Sequence, residues 1–425
     1  MIQPTAVFVP WLHMHQPPIW VGEGSSARLT GNLAKMLAGP ENSEERWNAG
    51  WFARAYVNPA RYVLNLAERG LAPRLMLDYS GVLLEELARL SSDGTFAGTW
   101  VQDEALGDVV GLLRQALTDY PEAIEVAGTA YSHCYFPATP ERDHEAQIRE
   151  WQRVYSELFG EAALGRVRGF WLPEMGMMGD GEGALRFVRL LKKCGYEWLI
   201  LPAAALALPT DSRREQLENQ VHRLVIEVGG EREEICCVVR DTEMGIRQQS
   251  GQTAEGCIDG TRHRGEALRG TGASLPALVV PTSDGENGNV MMFEYFSQGF
   301  APLFERRGEW PDIAFLTVSE YIDRYLPDGP TSTVRLKAEG GSWIGGHQSW
   351  QAGTRRQQIL AGVEQLSFDL AQLRSQKLPP AQALAVAERA LLLCETSCFV
   401  YWDSDFWAEQ ALQCLRWARA TLPSA

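Results

Sequence analysis

The chain has 425 residues, 45% hydrophobic and 22% charged, a globular composition long enough to bury a large core. Its 39 basic and 54 acidic side chains leave a net charge of -15, the opposite of what nucleic acid or an anionic membrane rewards, so neither is an expected partner. An uncharged substrate stays open, and 14 tryptophans with 12 tyrosines supply flat apolar faces for ligand stacking as well as for the core.

Met1-Ile2-Gln3-Pro4 runs straight into Ala6-Val7-Phe8-Val9, with no basic segment and no cleavage site, so no secretory leader is expected. Short apolar runs then alternate with longer amphipathic stretches. The runs predict strands at 6–12, 74–79, 124–130, 167–172, 196–201, 277–282 and 313–317. Helices are predicted at 59–69, 82–90, 104–118, 144–159 and 183–194. Strand-helix alternation implies a parallel sheet, and about seven strands imply an incomplete barrel.

The stretch 211–274 breaks this rhythm. Runs at 221–228 and 234–239 flank Gly229-Gly230 and predict a hairpin, followed by a Gly-, Arg- and Gln-rich loop to Gly272. It reads as an insertion carrying one more strand and a lid or binding loop. After Pro330 the character changes, and helices are expected at 354–375, 380–396 and 405–422, the last capped by Ser404 or Asp405. The expected architecture is α/β: an incomplete seven-stranded (β/α) barrel over 1–330 with an insertion at about 211–274, then a C-terminal helical domain over 331–425. Eight cysteines include no C-x-x-C pair and read as reduced thiols, which with the missing leader predicts a cytoplasmic location. No apolar run reaches the roughly 18–20 residues needed to span a bilayer.

Chemistry-bearing residues gather where predicted strands end, which in a parallel barrel is the active-site face. The first strand leads into His13-Met14-His15-Gln16-Pro17, whose histidines, two apart, face one side of an extended chain. Two readings stay open: metal ligands, as in deacetylases or mannosidases on similar barrels, or neutral hydrogen-bond partners of a polar substrate or a catalytic carboxylate. The third strand ends near His133. Glu174 closes Gly169-Phe170-Trp171-Leu172-Pro173, and Asp284 closes Ala277-Leu278-Val279-Val280-Pro281-Thr282-Ser283, with Glu286 two residues on. Two acids on one face beside Trp171 are the equipment of glycoside hydrolysis: one attacks the anomeric carbon ionised, the other protonates the leaving oxygen. Tyr401 and Trp402, amid acids near the last helix, are expected to wall a sugar groove.

In this order the residues resemble glycoside hydrolase family 57, the retaining α-glucan-active enzymes. His13-Met14-His15-Gln16-Pro17 is similar to the family's first motif, and Gly128 through Pro137 more loosely to its second. Gly169 through Met177 is similar to the nucleophile motif, and Ser283-Asp284-Gly285-Glu286-Asn287 to the acid/base motif. Gly340-Gly341-Ser342-Trp343 resembles a Gly-Ser-Trp segment of amylopullulanase-like members. The resemblance implies Glu174 as nucleophile and Asp284 as general acid/base. His13, His15, His133, Trp171 and Glu286 would line the −1 sugar site, with Trp343, Tyr401 and Trp402 as further substrate contacts. It implies an α-glucan or maltooligosaccharide substrate, no cofactor and no metal. The fifth motif departs: Cys398 stands where members usually carry an aspartate, and Asp403 and Asp405 are the nearby carboxylates that could stand in for it. Two rival readings are a metal-dependent hydrolase built on His13 and His15, and a catalytically weak glucan-binding homologue, which the altered fifth motif suggests. The leading reading requires residues 174 and 284 to converge to roughly 5–6 Å.

Overall fold

The computed structural model describes residues 3–22, 27–207, 214–288, 295–376 and 380–422. Pro10, with no N–H to give a ladder, splits the first wall strand into Ala6–Phe8 and Trp11–Met14, both wholly buried. Its lower half pairs in parallel with Ala277–Val279 and Ile313–Phe315. Its upper half pairs with Thr282–Asp284 on one side and Leu75–Tyr79 on the other. The wall continues through Ile124–Val126 and, by a parallel bridge from Gly128 to Phe170, to Gly169–Trp171. Trp198–Leu201 and then Glu231–Val239 follow, all parallel. Two backbone hydrogen bonds, Asp241 N to Val280 O at 3.1 Å and Leu278 N to Asn219 O at 2.9 Å, span the seam back to the strand before Asp284. This is the incomplete seven-stranded barrel that the alternation predicts, its strands buried on both faces as a parallel sheet requires except for the charged start of Glu231–Val239.

Three details differ from expectation. The seventh wall strand is Glu231–Val239, from the stretch read as an insertion, whereas Ile313–Phe315 pairs, among the described residues, with the lower half of the first strand and nothing else. Its hairpin partner Val221–Val228 is joined by Gly229-Gly230 at φ 60° and 86°, the doubly left-handed turn that matches strand twist. Second, the predicted Gly-, Arg- and Gln-rich loop is two helices, Thr242–Gln249 and Ala254–Arg269, capped by Asp241 and Thr253. Glycine's low helix propensity hides them, but close packing requires those glycines. A Cβ at Gly260 would sit 2.5 Å from Met244 Sδ, and one at Gly265 2.6 Å from Thr5 Cγ2. Residues 211–213 of the expected insertion lie outside the described residues. Third, the helix expected to begin at Pro59 spans Glu44–Glu68, because burial of the face from Ala49 to Ala60 outweighs the proline's lost hydrogen bond.

After the barrel, Thr354–Gln376, Ala381–Cys394 and Asp405–Thr421 pack on one another, the last capped by Ser404. The short Cys398–Tyr401 helix joins two of them and is stitched to the barrel. Ser397 N donates to His133 O at 3.0 Å, and Thr396 bridges Cys134. Among the described residues no helix is long and apolar enough to cross a membrane. All eight cysteines are free.

Candidate active site

Strand register sets one row of the site. Asp284 pairs with His13, and His13 with Asp78, so three adjacent parallel strands carry ionisable side chains at the same level of the C-terminal rim. Asp78 is wholly buried and is held from two sides: Trp11 Nε1 donates to Oδ1 at 2.7 Å, and His13 Nδ1 lies 2.5 Å from Oδ2. Burial opposes charge on His13, but Asp78, by attraction and hydrogen bond, with Glu286 and Asp284 behind it, outweighs burial and lifts the imidazole to about 9. At neutral pH His13 is therefore an imidazolium.

His15 lies just past the strand end and behaves differently. Burial and the charge on His13 push it well below the usual histidine range. Its Nδ1 is 2.7 Å from Ser80 Oγ, and its backbone N–H donates to Glu286 Oε1 at 3.0 Å. Burial first, then the neighbouring Asp284, lifts Glu286 to about 8, so this carboxyl carries its proton at neutral pH. Its Oε2 is buried with no hydrogen-bond partner among the described residues.

Glu174 sits in a tight turn after Gly169–Trp171. It and Met175 both adopt left-handed backbone, φ 56° and 47°, a conformation that costs side-chain-bearing residues energy and recurs at functional sites. The loop carrying Trp343 holds the turn. Met177 and Gly341 exchange backbone hydrogen bonds of 2.9 and 3.0 Å, and Trp343 N donates to Glu174 O at 3.2 Å. Each carboxylate oxygen has its own donor: Ser397 Oγ–H to Oε1 at 2.8 Å and Trp343 Nε1–H to Oε2 at 2.9 Å. Burial raises the Glu174 pKa, those two donors pull it back, Asp284 raises it and His13 lowers it. Glu174, Asp284 and His13 thus share one electrostatic environment.

His133, itself left-handed at φ 61°, completes the centre. Its ring lies 4.0 Å from that of His15 at 8°, its Nε2 is 3.1 Å from His13 Nε2, and its Nδ1 is 2.9 Å from Ser397 Oγ. Burial and the two neighbouring histidines hold it well below the usual histidine range. Trp171 stacks on His13 at 3.8 Å and 13°, so one indole face is covered by imidazole. Trp343, Tyr401 and Trp402 form an aromatic rim, with ring centroids 6.4 Å apart for the first pair and 5.0 Å for the second. Trp343 is 41% and Trp402 57% exposed, so both leave indole surface for a ligand. Cys398 Sγ lies 3.6 Å from His15 Nε2, and burial, then Glu174, pushes the thiol up to about 12. Asp403 and Asp405 do not stand in for an acid there: Asp403 pairs with Arg355 and Arg356, and Asp405 with Arg355.

The structure gathers Glu174, Asp284, Glu286 and the three histidines into one centre and sets Trp343, Tyr401 and Trp402 at its rim. Sequence reading missed Asp78, Ser397 and Arg240. Asp78 is the one acid in the apolar run Leu75–Tyr79, a pattern that could have marked it. Ser397 lies within the fifth motif, where its neighbours drew the attention. Arg240 is half-buried just past the end of a wall strand; desolvation lowers its pKa, while Asp284 and Asp241 act to raise it.

The sequence model of glycosyl hydrolase family 57 matches residues 11–259, a stretch that holds His13 through Glu174 and ends before Asp284. No curated protein matches the chain in sequence. Among solved structures, a GH57-type branching enzyme from the hyperthermophilic archaeon Pyrococcus horikoshii aligns at TM-score 0.67 and 18% identity, over 98% of this chain and 88% of its own. A GH57 branching enzyme from Thermococcus kodakaraensis, in complex with glucose and additives, aligns at TM-score 0.69 and 15% identity, over 98% and 90%. The 4-alpha-glucanotransferase from Thermococcus litoralis aligns at 0.61 and 15%, over 100% of this chain and 61% of its own. At these identities the likeness is one of fold.

Proposed function

The chain belongs to glycosyl hydrolase family 57, and from that premise we propose that it is a retaining enzyme that cleaves and transfers α-linked glucans through a glycosyl-Glu174 intermediate. The observation that carries the reading is the state of Glu174: a half-buried carboxylate held in a strained turn, one donor on each oxygen, in the same field as Asp284. In the first step Asp284 gives its proton to the glycosidic oxygen while a Glu174 oxygen forms a bond to the anomeric carbon, and the carbon–oxygen bond to the leaving sugar breaks. In the second step Asp284, now a carboxylate, takes the proton of an incoming hydroxyl, whose oxygen displaces Glu174 from the carbon. His13, positively charged in the floor of the site, favours Glu174 as an anion. Glu286, protonated and with Oε2 unpartnered, is suited to a sugar hydroxyl. The aromatic rim of Trp343, Tyr401 and Trp402 suits the apolar faces of glucose units on either side of the cleaved bond.

The same-fold enzymes named above are branching enzymes and a glucanotransferase, which favours a sugar hydroxyl as acceptor alongside water. Incubation with maltooligosaccharides of defined length tests the reading. New chain lengths or new linkages are expected from the unmutated protein, with the anomeric configuration retained. Glu174→Gln is expected to lower turnover by at least about 10³-fold. Near-normal turnover in that variant, or an inverted product, removes the assignment.

A further inference from the structure

We propose that Ser397 and His133 form a hydrogen-bonded wire tying the Glu174 carboxylate to the buried His13–Asp78 pair, and that Ser397 and Asp78 are thereby positioning residues for the nucleophile. This rests on the reading of Glu174 as nucleophile and deepens it. Five groups stand in file, Asp78, His13, His133, Ser397 and Glu174, with successive contacts of 2.5, 3.1, 2.9 and 2.8 Å. Three separate parts of the chain contribute: the first two barrel strands, the loops after the third and fourth, and the segment between the last helices. All five groups except Glu174 are nine-tenths or more buried.

The hydrogens have a consistent direction. With both end carboxylates ionised, Ser397 must donate to Glu174, so His133 Nδ1–H donates to Ser397 and its Nε2 is left as an acceptor. That acceptor needs a donor, and His13 Nε2–H supplies it while His13 Nδ1–H faces Asp78. The single excess proton this pattern requires belongs on His13, beside the carboxylate of Asp78. It does not belong on His133, which is buried against two imidazoles and has no acid beside it. A file of donors pointing one way polarises from end to end. The wire therefore presents Glu174 Oε1 with a hydrogen whose acidity is backed by the charge on His13.

This has a kinetic consequence. Glu174 loses its negative charge when it forms the ester and regains it when it leaves the sugar carbon. A donor that stabilises the anion helps the departure more than the attack, because only interactions stronger in the transition state than in the ground state accelerate a step. The wire should act chiefly on the second half of the double displacement. It should also set the acid limb of the pH profile, where Glu174 takes up a proton. The groups facing Glu174 are Asp284 and His13 from the barrel wall, Tyr135 from the loop after the third strand, and Cys398 and Tyr401 from the helical segment. Burial raises the last three, which stay neutral at and below neutral pH, so the wire, Trp343, Asp284 and His13 govern that limb.

The test uses the full chain and an aryl α-maltooligosaccharide with a good leaving group. Ser397→Ala is expected to lower kcat about 10- to 100-fold. KM falls with it and kcat/KM near its optimum changes little, because the ester accumulates, and a burst of aryl alcohol precedes steady turnover. The acid limb of kcat/KM moves to higher pH. Asp78→Asn moves the limb the same way, since His13 loses the partner that keeps it charged, and Ser397→Thr, which keeps the hydroxyl, returns the limb toward its original position. An unmoved acid limb in folded Ser397→Ala and Asp78→Asn, with Glu174→Gln inactive, overturns the wire and leaves the nucleophile standing. Activity in Glu174→Gln overturns both. Should the variants fail to fold, nitrogen-15 imidazole spectra of the unmutated protein decide. His13 protonated on both nitrogens and His133 on Nδ1 alone at pH 7 supports the wire, and a neutral His13 at that pH overturns it.

Discussion

At the scale of single residues, the centre is organised by which groups hold a proton, and Cys398 stands where the resemblance in sequence leads one to expect an aspartate. A thiol pushed up to about 12 is neutral and weakly hydrogen-bonding, so His15 beside it has no anion to hold a charge and stays neutral. Cys398→Asp would place a carboxylate against His15 Nε2, now 3.6 Å from sulfur. An adjacent anion favours the imidazolium, so the His15 pKa should rise. A second buried charge should reduce stability by about 1–3 kcal/mol. A carboxylate placed here to accept from sugar hydroxyls should lower KM for maltooligosaccharides severalfold. Imidazole titration by NMR, urea denaturation and steady-state kinetics read the three effects, and an unmoved His15 would show that the replacement does not set its protonation. Residues of this kind were partly legible in the sequence. Glu174, Asp284 and the histidines end recognisable apolar runs, whereas Asp78 and Ser397 owe their roles to partners 65 and 223 positions away, His13 and Glu174. Short-range pattern carries no record of such pairings.

At the scale of elements, the wall strands were legible because parallel strands buried on both faces must be continuously apolar. Apolarity does not say who pairs with whom, which is why 313–317 read as a wall strand and the true seventh strand, whose first four residues are charged and at least partly exposed, read as an insertion. The element that matters most to the chemistry is the loop from Glu339 to His347, which reaches back to brace the turn of Glu174. Gly340 lies within it at φ 71°, and a Cβ there would come 2.2 Å from Met177 O, the carbonyl that accepts from Gly341 N. Gly340→Ala should break that latch, draw Trp343 off Glu174 and reduce kcat at least about tenfold, with about 1–3 kcal/mol lost in stability. Gly70→Ala separates strain from function. Its φ is 76° with nothing within 4 Å of an added Cβ, and it closes a helix at the barrel's far end, so it should carry a comparable backbone penalty with unchanged kcat. Equal kcat in the two variants would mean that the loop does not brace the nucleophile.

At the scale of the whole molecule, the barrel and the helices behind it are joined through the same buried polar centre that carries the proposed chemistry, so folding stability and the protonation of the site are linked. His13 and Glu286 both have folded-state pKa values above their unfolded ones, about 9 against 6.5 and about 8 against 4.5. A raised value means the folded state holds its proton more tightly. Each group's contribution is therefore complete below its unfolded pKa and lost as pH rises through its folded pKa. The windows run from 4.5 to about 8 for Glu286 and from 6.5 to about 9 for His13, so both losses continue through neutral pH and stability should fall from pH 6 to pH 9, by on the order of 1–3 kcal/mol from Glu286 alone. Glu286→Gln keeps the shape of the protonated acid and cannot ionise, so its Tm should decline less than that of the unmutated protein over this interval while the His13 contribution persists. Thermal melts at pH 6, 7, 8 and 9 measure the difference. Parallel declines for the two proteins would mean that Glu286 is already ionised in the folded state, and it could then not donate a hydrogen to a sugar hydroxyl at neutral pH.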